Sequence, residues 1–278
     1  MRVLSLVARG LPLLLACSLP ALGQRSSREP ERASDEWLDK CREGRSRGND
    51  DRDRFCEVRE KRVSPSRMLD IDGRENGGVS VHGWDRSEVL IVAKIQADAD
   101  DADEAKDLAS RISIDVDGGR IRAEGPSTRR HQSWSVSYDV WTPRQTDLRV
   151  ATHNGGISID DIEARLDLGA VNGGIALHRV AGDVHGETTN GPLNVDLEGD
   201  RWRGAGLDLR TTNGPVNLEI PDGYSARLET GTVNGPMHID FPVTLQGVIG
   251  RHITTQLGGG GPPIRAVTTN GPVEIRRR

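Results

Sequence analysis

Thr-Thr-Asn-Gly-Pro-Val-Asn-Leu, residues 211–218, is the clearest copy of a unit that repeats through the chain. An Asn-Gly step followed by Gly or Pro starts at Asn76, Asn154, Asn172, Asn190, Asn213, Asn234 and Asn270. The third and fifth residues after each asparagine are apolar: Val79 and Val81, Ile157 and Ile159, Ile175 and Leu177, Leu193 and Val195, Val216 and Leu218, Met237 and Ile239, Val273 and Ile275. Period-two apolarity after a turn predicts a strand with one buried face. An aliphatic residue also stands six positions before each of the last six asparagines, and Thr stands two before them except at Ala170. Each unit therefore reads as strand, Asn-Gly corner, strand. From Asn154 the asparagines are spaced by 18, 18, 23, 21 and 36 residues, which fits stacked units with insertions at the opposite corner. The longest insertion, through Gly258 to Pro263, reads as a loop.

Asn-Gly between apolar strands is ordinarily a two-residue hairpin, whose type I′ turn needs positive φ at both central residues. That turn closes through the N–H of the residue after the glycine. In four units this residue is Pro192, Pro215, Pro236 or Pro272, and proline has no N–H to give. A corner between two sheets of a solenoid makes no such demand. The expected fold is all-β, a single-domain β-solenoid over residues 67–278. Asn154, Asn172, Asn190, Asn213 and Asn234 should then form a column on successive rungs, about 4.7–4.9 Å apart and linked as an amide ladder. Asn270 joins them only if its spacing is a loop excursion and not a skipped rung. Residues repeated at every rung mark a scaffold, so the asparagines are read as structural.

Residues 1–23 carry Arg2 and Arg9, an apolar stretch over 11–22, and Ala21-Leu22-Gly23 before Gln24, the pattern of a signal peptide cleaved after Gly23. Leu14-Leu15-Ala16 before Cys17 offers a lipoprotein alternative with a very short apolar segment. No other run is long enough to span a bilayer. The expected location is the periplasm, the outer cell surface or the extracellular space. Losing Arg2 and Arg9 moves the formal charge from −5 to −7, and a net acidic surface holds no general attraction for nucleic acid. Losing Cys17 leaves Cys41 and Cys56, which in an oxidising compartment most simply form a disulfide, with two free thiols or a metal pair as alternatives. Residues 24–66 form a charged leader, expected to be disordered apart from the loop that the disulfide closes. Residues 89–95, 112–116, 121–123 and 134–140 read as further strands, and 98–110 as one short helix. The acidic cluster in that helix lacks the glycine and closing glutamate of an EF-hand loop.

The motifs T-T-N-G-P-V-N-L at Thr211, T-V-N-G-P-M-H-I at Thr232 and T-T-N-G-P-V-E-I at Thr268 resemble the bacterial putative-adhesin family, an exported domain built of repeated N-G strands. C-E-V-R-E at Cys56 and E-N-G-G-V-S-V-H-G-W-D at Glu75 look like the entry into that domain. The resemblance covers residues 67–278 and implies a solenoid-like cell-envelope protein. It supplies no established catalytic residues.

Catalysis on a β-helix would need carboxylates or basic residues converging on one groove. Asp160, Asp161, Asp183, Asp196, Asp208 and Asp240 fall near strand ends but recur with the rungs, as solvent-facing ladder ends do. His82, His131, His153, His178, His185, His238 and His252 show no metal-ligand spacing, and no cofactor or metal is expected. Five Trp, two Tyr and two Phe are few for a sugar cleft, and Trp84, Trp134, Trp141 and Trp202 are candidates for covers over open sheet ends. The expected function is a non-catalytic, adhesin-like binding or scaffolding role toward an envelope or extracellular protein or glycan. The alternative is a carbohydrate-active β-helix enzyme, a polysaccharide lyase or hydrolase, with residues 240–263 forming one wall of its cleft.

Overall fold

Alternating apolar and polar residues make two strands of each repeat, and the Asn-Gly corner turns the chain from one sheet to the other. The computed structural model describes residues 30–44, 52–240 and 251–278. The chain begins with α1 (Pro30–Gly44), β1 (Asp53–Val63), β2 (Met68–Asp72), β3 (Val79–Trp84), β4 (Val89–Ala99), α2 (Ala102–Ser110), β5 (Ser113–Asp117), β6 (Arg120–Glu124) and β7 (Ser133–Pro143). The regular region follows with β8 (Asp147–Thr152), β9 (Ile157–Asp160), β10 (Glu163–Ala170), β11 (Ile175–His178), β12 (Ala181–Asn190) and β13 (Leu193–Asp196). It ends with β14 (Gly206–Asn213), β15 (Val216–Ile220), β16 (Ala226–Asn234), β17 (Met237–Ile239), β18 (His252–Leu257), β19 (Pro263–Asn270) and β20 (Val273–Arg277).

Among the described residues the strands form two ten-stranded mixed sheets. The first runs β1-β4-β7-β3-β9-β11-β13-β15-β20-β17 and the second β18-β16-β19-β14-β12-β10-β8-β2-β6-β5. Equivalent strands of neighbouring repeats pair in parallel and in register, so that Ile175 lies between Ile157 and Leu193, and Leu166 between Leu148 and Val184. Seven rungs stack in the manner of a β-solenoid, and none of the Asn-Gly steps is a hairpin. At the corner opposite the asparagines, Asp161 and Arg179 occupy equivalent places with φ of 59° and 53° and turn the chain back to the second sheet. The third- and fifth-position side chains are buried in every unit except the edge rung, where Met237 and Ile239 have a neighbour on one side only and are half-buried.

The all-β expectation is corrected by two helices, and the disordered leader is corrected by α1 and β1. The cause lies in β4, which is apolar on both faces. Val89, Ile91, Ala93 and Ile95 join the core between the sheets. Leu90 and Val92 point the other way, where with Trp84 and Trp141 they pack against Ala33 of α1. β1 pairs antiparallel with β4 along its whole length, from Asp53 opposite Ala99 to Val63 opposite Val89. Two of its arginines find partners across the fold: Arg54 holds Asp98 at 2.7 Å, and Arg59 donates to Ala109 O of α2 at 3.0 Å. Backbone pairing is indifferent to the composition that marked this segment as a solvated leader. In α2, Asp101 caps the helix by accepting from Glu104 N at 2.8 Å, while Leu108 and Ala109 enter the core. The proposed signal peptide and Cys17 lie outside the described residues.

Cys41 of α1 and Cys56 of β1 form a disulfide with Cα atoms 6.3 Å apart. Closing a loop of about 15 residues contributes on the order of 3 kcal/mol in the chain-entropy account. The apolar contact beneath α1 is small, so reduction should undock the helix. Hydrogen exchange should then show α1 amides losing protection in the reduced protein while those of β8 to β15 keep theirs. Equal protection in both states would mean that packing alone holds α1.

The order of the last rungs departs from the expectation. The strands around Asn234 do not follow those around Asn213, because β19 inserts between β14 and β16, and β20 between β15 and β17. Asn270 pairs in register with Asn213 on one side and Asn234 on the other. Within the 240–263 insertion, residues 241–250 lie outside the described residues, and 252–257 form β18, which pairs antiparallel with β16 and closes that edge of the second sheet.

Candidate binding surface

The repeat builds its corner from three columns. From Asn154 onward each asparagine donates from Nδ2 to Oδ1 of the asparagine before it in the column Asn76, Asn154, Asn172, Asn190, Asn213, Asn270, Asn234, at 2.8–3.0 Å. An amide has two donors and two acceptor lone pairs, so the ladder uses half of that capacity and leaves the rest facing solvent. Thr188, Thr211, Thr268 and Thr232 are buried and donate to the corner-glycine carbonyl of the adjacent rung, Thr188 to Gly173 O at 2.6 Å. The glycine is needed for proximity, not handedness. Gly155, Gly173, Gly191, Gly214, Gly271 and Gly235 all lack positive φ, but an added Cβ on any of them would lie 2.0–2.2 Å from the carbonyl oxygen of the corner glycine one rung away.

The outward face of the second sheet carries a column in which acidic side chains alternate with Arg or His across nine strands. In register it reads Asp117, Arg120, Asp70, Arg149, Asp167, His185, Asp208, Arg265, Glu229. Arg265 sits 3.0 Å from both Asp208 and Glu229, and Arg149 3.5 Å from Asp167. Partial burial pushes the Asp208 pKa up, but hydrogen bonds and charge from Arg210 and Arg265 outweigh it and hold the carboxyl below its ordinary range. Asp160, on the outward face of the first sheet, is likewise raised by burial and lowered on balance by His82, Arg179 and His178. Carboxyls with a lower pKa folded than unfolded stabilise the fold above the unfolded value near about 3.9, and that contribution disappears as pH falls through the folded value. The melting temperature should therefore drop on acidification below that range, and Asp208→Asn should make the drop shallower. An Asp208→Asn acid limb as steep as wild type would rule out this carboxyl as a contributor.

Beside the charge column runs a groove of about 690 Å³ that crosses six rungs. Ala151 and Gly169 leave room in its floor, Val171, Thr189, Thr212, Thr269 and Val233 line its corner side, and Glu187, Arg210, Arg265 and His252 line the other. Val171 and Val233 are exposed. The sequence reading missed this groove, although its signal is the outward residue before each asparagine. Among the described residues Glu187 is the one carboxylate lining it. The six carboxylates singled out from the sequence are dispersed: Asp208 lies in the charge column, Asp183 beside Arg165 near the start of β12, Asp160 and Asp196 on the outward face of the first sheet, Asp161 at the opposite corner against Arg144 and Arg179, and Asp240 just past β17. Among the described residues no group of three or more His, Cys, Asp or Glu is placed to hold a metal ion. The tryptophans do not cover open sheet ends: Trp84 and Trp141 stand on interior strands of the first sheet, where Trp84 donates to Glu88 O and Trp141 stacks on His82 at 5.1 Å, and Trp202 is a core residue that donates to Gly182 O at the opposite corner. Trp134 donates to Pro126 O and lines a separate hollow of about 330 Å³ with Arg74, Glu75 and Ser135.

A family model described as Toastrack DUF4097 matches residues 73–276. No curated relative matches the sequence significantly. Among solved structures the chain is similar to a putative cell adhesion protein from Clostridium sporogenes, at 9% identity and a TM-score of 0.45, covering 81% of this chain and 100% of that one. It is also similar to a putative adhesin from Parabacteroides merdae, at 9% identity and a TM-score of 0.35, covering 80% and 96%. A putative lipid binding protein from Parabacteroides distasonis aligns at 11% identity and a TM-score of 0.29, covering 80% and 96%.

Proposed function

We propose a role for this chain from what it is: it belongs to the Toastrack DUF4097 family. The role is that of an exported cell-envelope protein that binds or scaffolds and does not catalyse. The observation that carries it is the groove across six rungs, open along its length and lined by hydroxyl, valine and arginine side chains. Its groups recur at the strand spacing. That form suits an extended partner, a glycan or a peptide segment of an envelope or extracellular protein, better than an enclosed small substrate. The Cys41–Cys56 disulfide supports an oxidising location, with residues 1–23 acting as the signal peptide. The carbohydrate-active alternative needs a second carboxylate or a converging base beside Glu187, and the described lining residues do not offer the carboxylate.

The test is capture of envelope protein, peptidoglycan and glycan fractions by the purified protein, repeated with Thr212→Trp. Thr212 is exposed midway along the groove, so the indole should block it there and sharply reduce capture while leaving the urea midpoint unchanged. Retention of nothing by the wild-type protein, or full retention by Thr212→Trp, would sink the proposal.

A further inference from the structure

The last rung is the one placed out of sequence order, and its surroundings point to what it can do. Residues 263–278 form an arm whose two strands pair only with strands laid down earlier: β19 with β14 and β16, and β20 with β15 and β17. The partners on its two sides are 57 and 36 residues away at the asparagine column. The slot reads the arm in register. Thr268 donates to Gly214 O at 2.8 Å, Thr232 donates to Gly271 O of the arm at 2.9 Å, and Asn270 completes the amide ladder on both sides. A T-x-N-G segment meets those demands, and residues 268–271 supply one.

The arm is also hinged and latched. It leaves β18 through Gly258-Gly259-Gly260-Gly261-Pro262, in which Gly258, Gly260 and Gly261 have positive φ of 51°, 74° and 143°. Its far end is held by ion pairs that are half-exposed, Arg278 to Asp196 at 2.7 Å and Arg277 to Asp222. Exposed pairs of this kind contribute little and are screened by salt.

We propose that the slot between β14/β15 and β16/β17 accepts the arm of a second copy of this chain, giving a reciprocal two-fold dimer in which each arm completes the other's stack. The contacts in trans are those made in cis, so only the hinge and the effective concentration of the arm separate the two states. The monomer prevails when dilute, and exchange grows when copies are crowded.

Arg210 of β14 and Val267 of β19 are register partners on the outward face. Arg210→Cys protein and Val267→Cys protein, refolded together at high concentration and oxidised, should give a disulfide-linked heterodimer joining those two positions. An Arg165→Cys partner, three strands from β19 on the same face, should not link to Val267→Cys. Separately, deleting Gly259-Gly260-Gly261 shortens the hinge and should shift the otherwise wild-type protein from monomer to dimer in size-exclusion chromatography with light scattering. Cross-linking no greater than in the Arg165→Cys control, or a monomer at every concentration for both wild type and the shortened hinge, overturns the proposal.

Discussion

Gly191→Ala is expected to lower stability by at least about 3 kcal/mol, at the upper end of what overpacking costs, because no side chain can move to relieve it. The added Cβ would sit 2.2 Å from Gly173 O and 2.4 Å from Gly173 C, both backbone atoms of the rung below. Relief requires spreading two rungs, which would also stretch the hydrogen bonds from Asn190 to Asn172 and from Thr188 to Gly173 O. Gly169→Ala is the matched control. An added Cβ there meets nothing within 4 Å, and φ is not positive. Alanine at such a site reduces unfolded-chain entropy and should stabilise by about 0.4–1 kcal/mol. Urea denaturation of both variants measures the contrast. Equal midpoints would show that the corner glycines are not held by close approach.

Deleting residues 263–278 should prevent the protein from reaching its native state. In a stack with nearest-neighbour energetics, removing a terminal rung loses one interface, whereas removing an interior rung loses two. The arm is interior. It buries Ile264, Val273 and Ile275 essentially completely, and each such side chain contributes about 1.5–3 kcal/mol of transfer free energy. That approaches the whole stability of an ordinary domain, about 5–15 kcal/mol, before the backbone bonds on both sides are counted. Circular dichroism and urea titration of the truncated chain would check this. A cooperative transition close to the wild-type midpoint would mean that β16 and β17 can stack directly on β14 and β15.

Much of the architecture was readable along the chain because the relevant physics is local. Alternation at Ile175 and Leu177 reports which side of a strand is dry, and Pro192 or Pro215 after Asn-Gly excludes a hairpin wherever it occurs. The asparagine column follows from in-register stacking of identical corners. The groove was less legible, since Ala151 and Gly169 are unremarkable alone and become a floor only when stacked beside Arg210 and Thr212. The leader was misread because charge density describes the side chains of β1, whereas its place is set by backbone bonds to β4 and by the need of Leu90 and Val92 for a cover.

Stacking order belongs wholly to the tertiary structure. The strands ending at Asn213, Asn234 and Asn270 carry the same motif in the same register, so pairing between any two is locally equivalent and periodicity cannot rank them. The arrangement around them makes the choice. β18 occupies the outer edge of β16 and closes the sheet there, leaving the interior slot as the place where the last rung has a paired neighbour on both sides. Local sequence states what each strand is and which face it buries, whereas which strands become neighbours depends on the competition among equivalent edges, and that competition is settled only when the whole chain is in place.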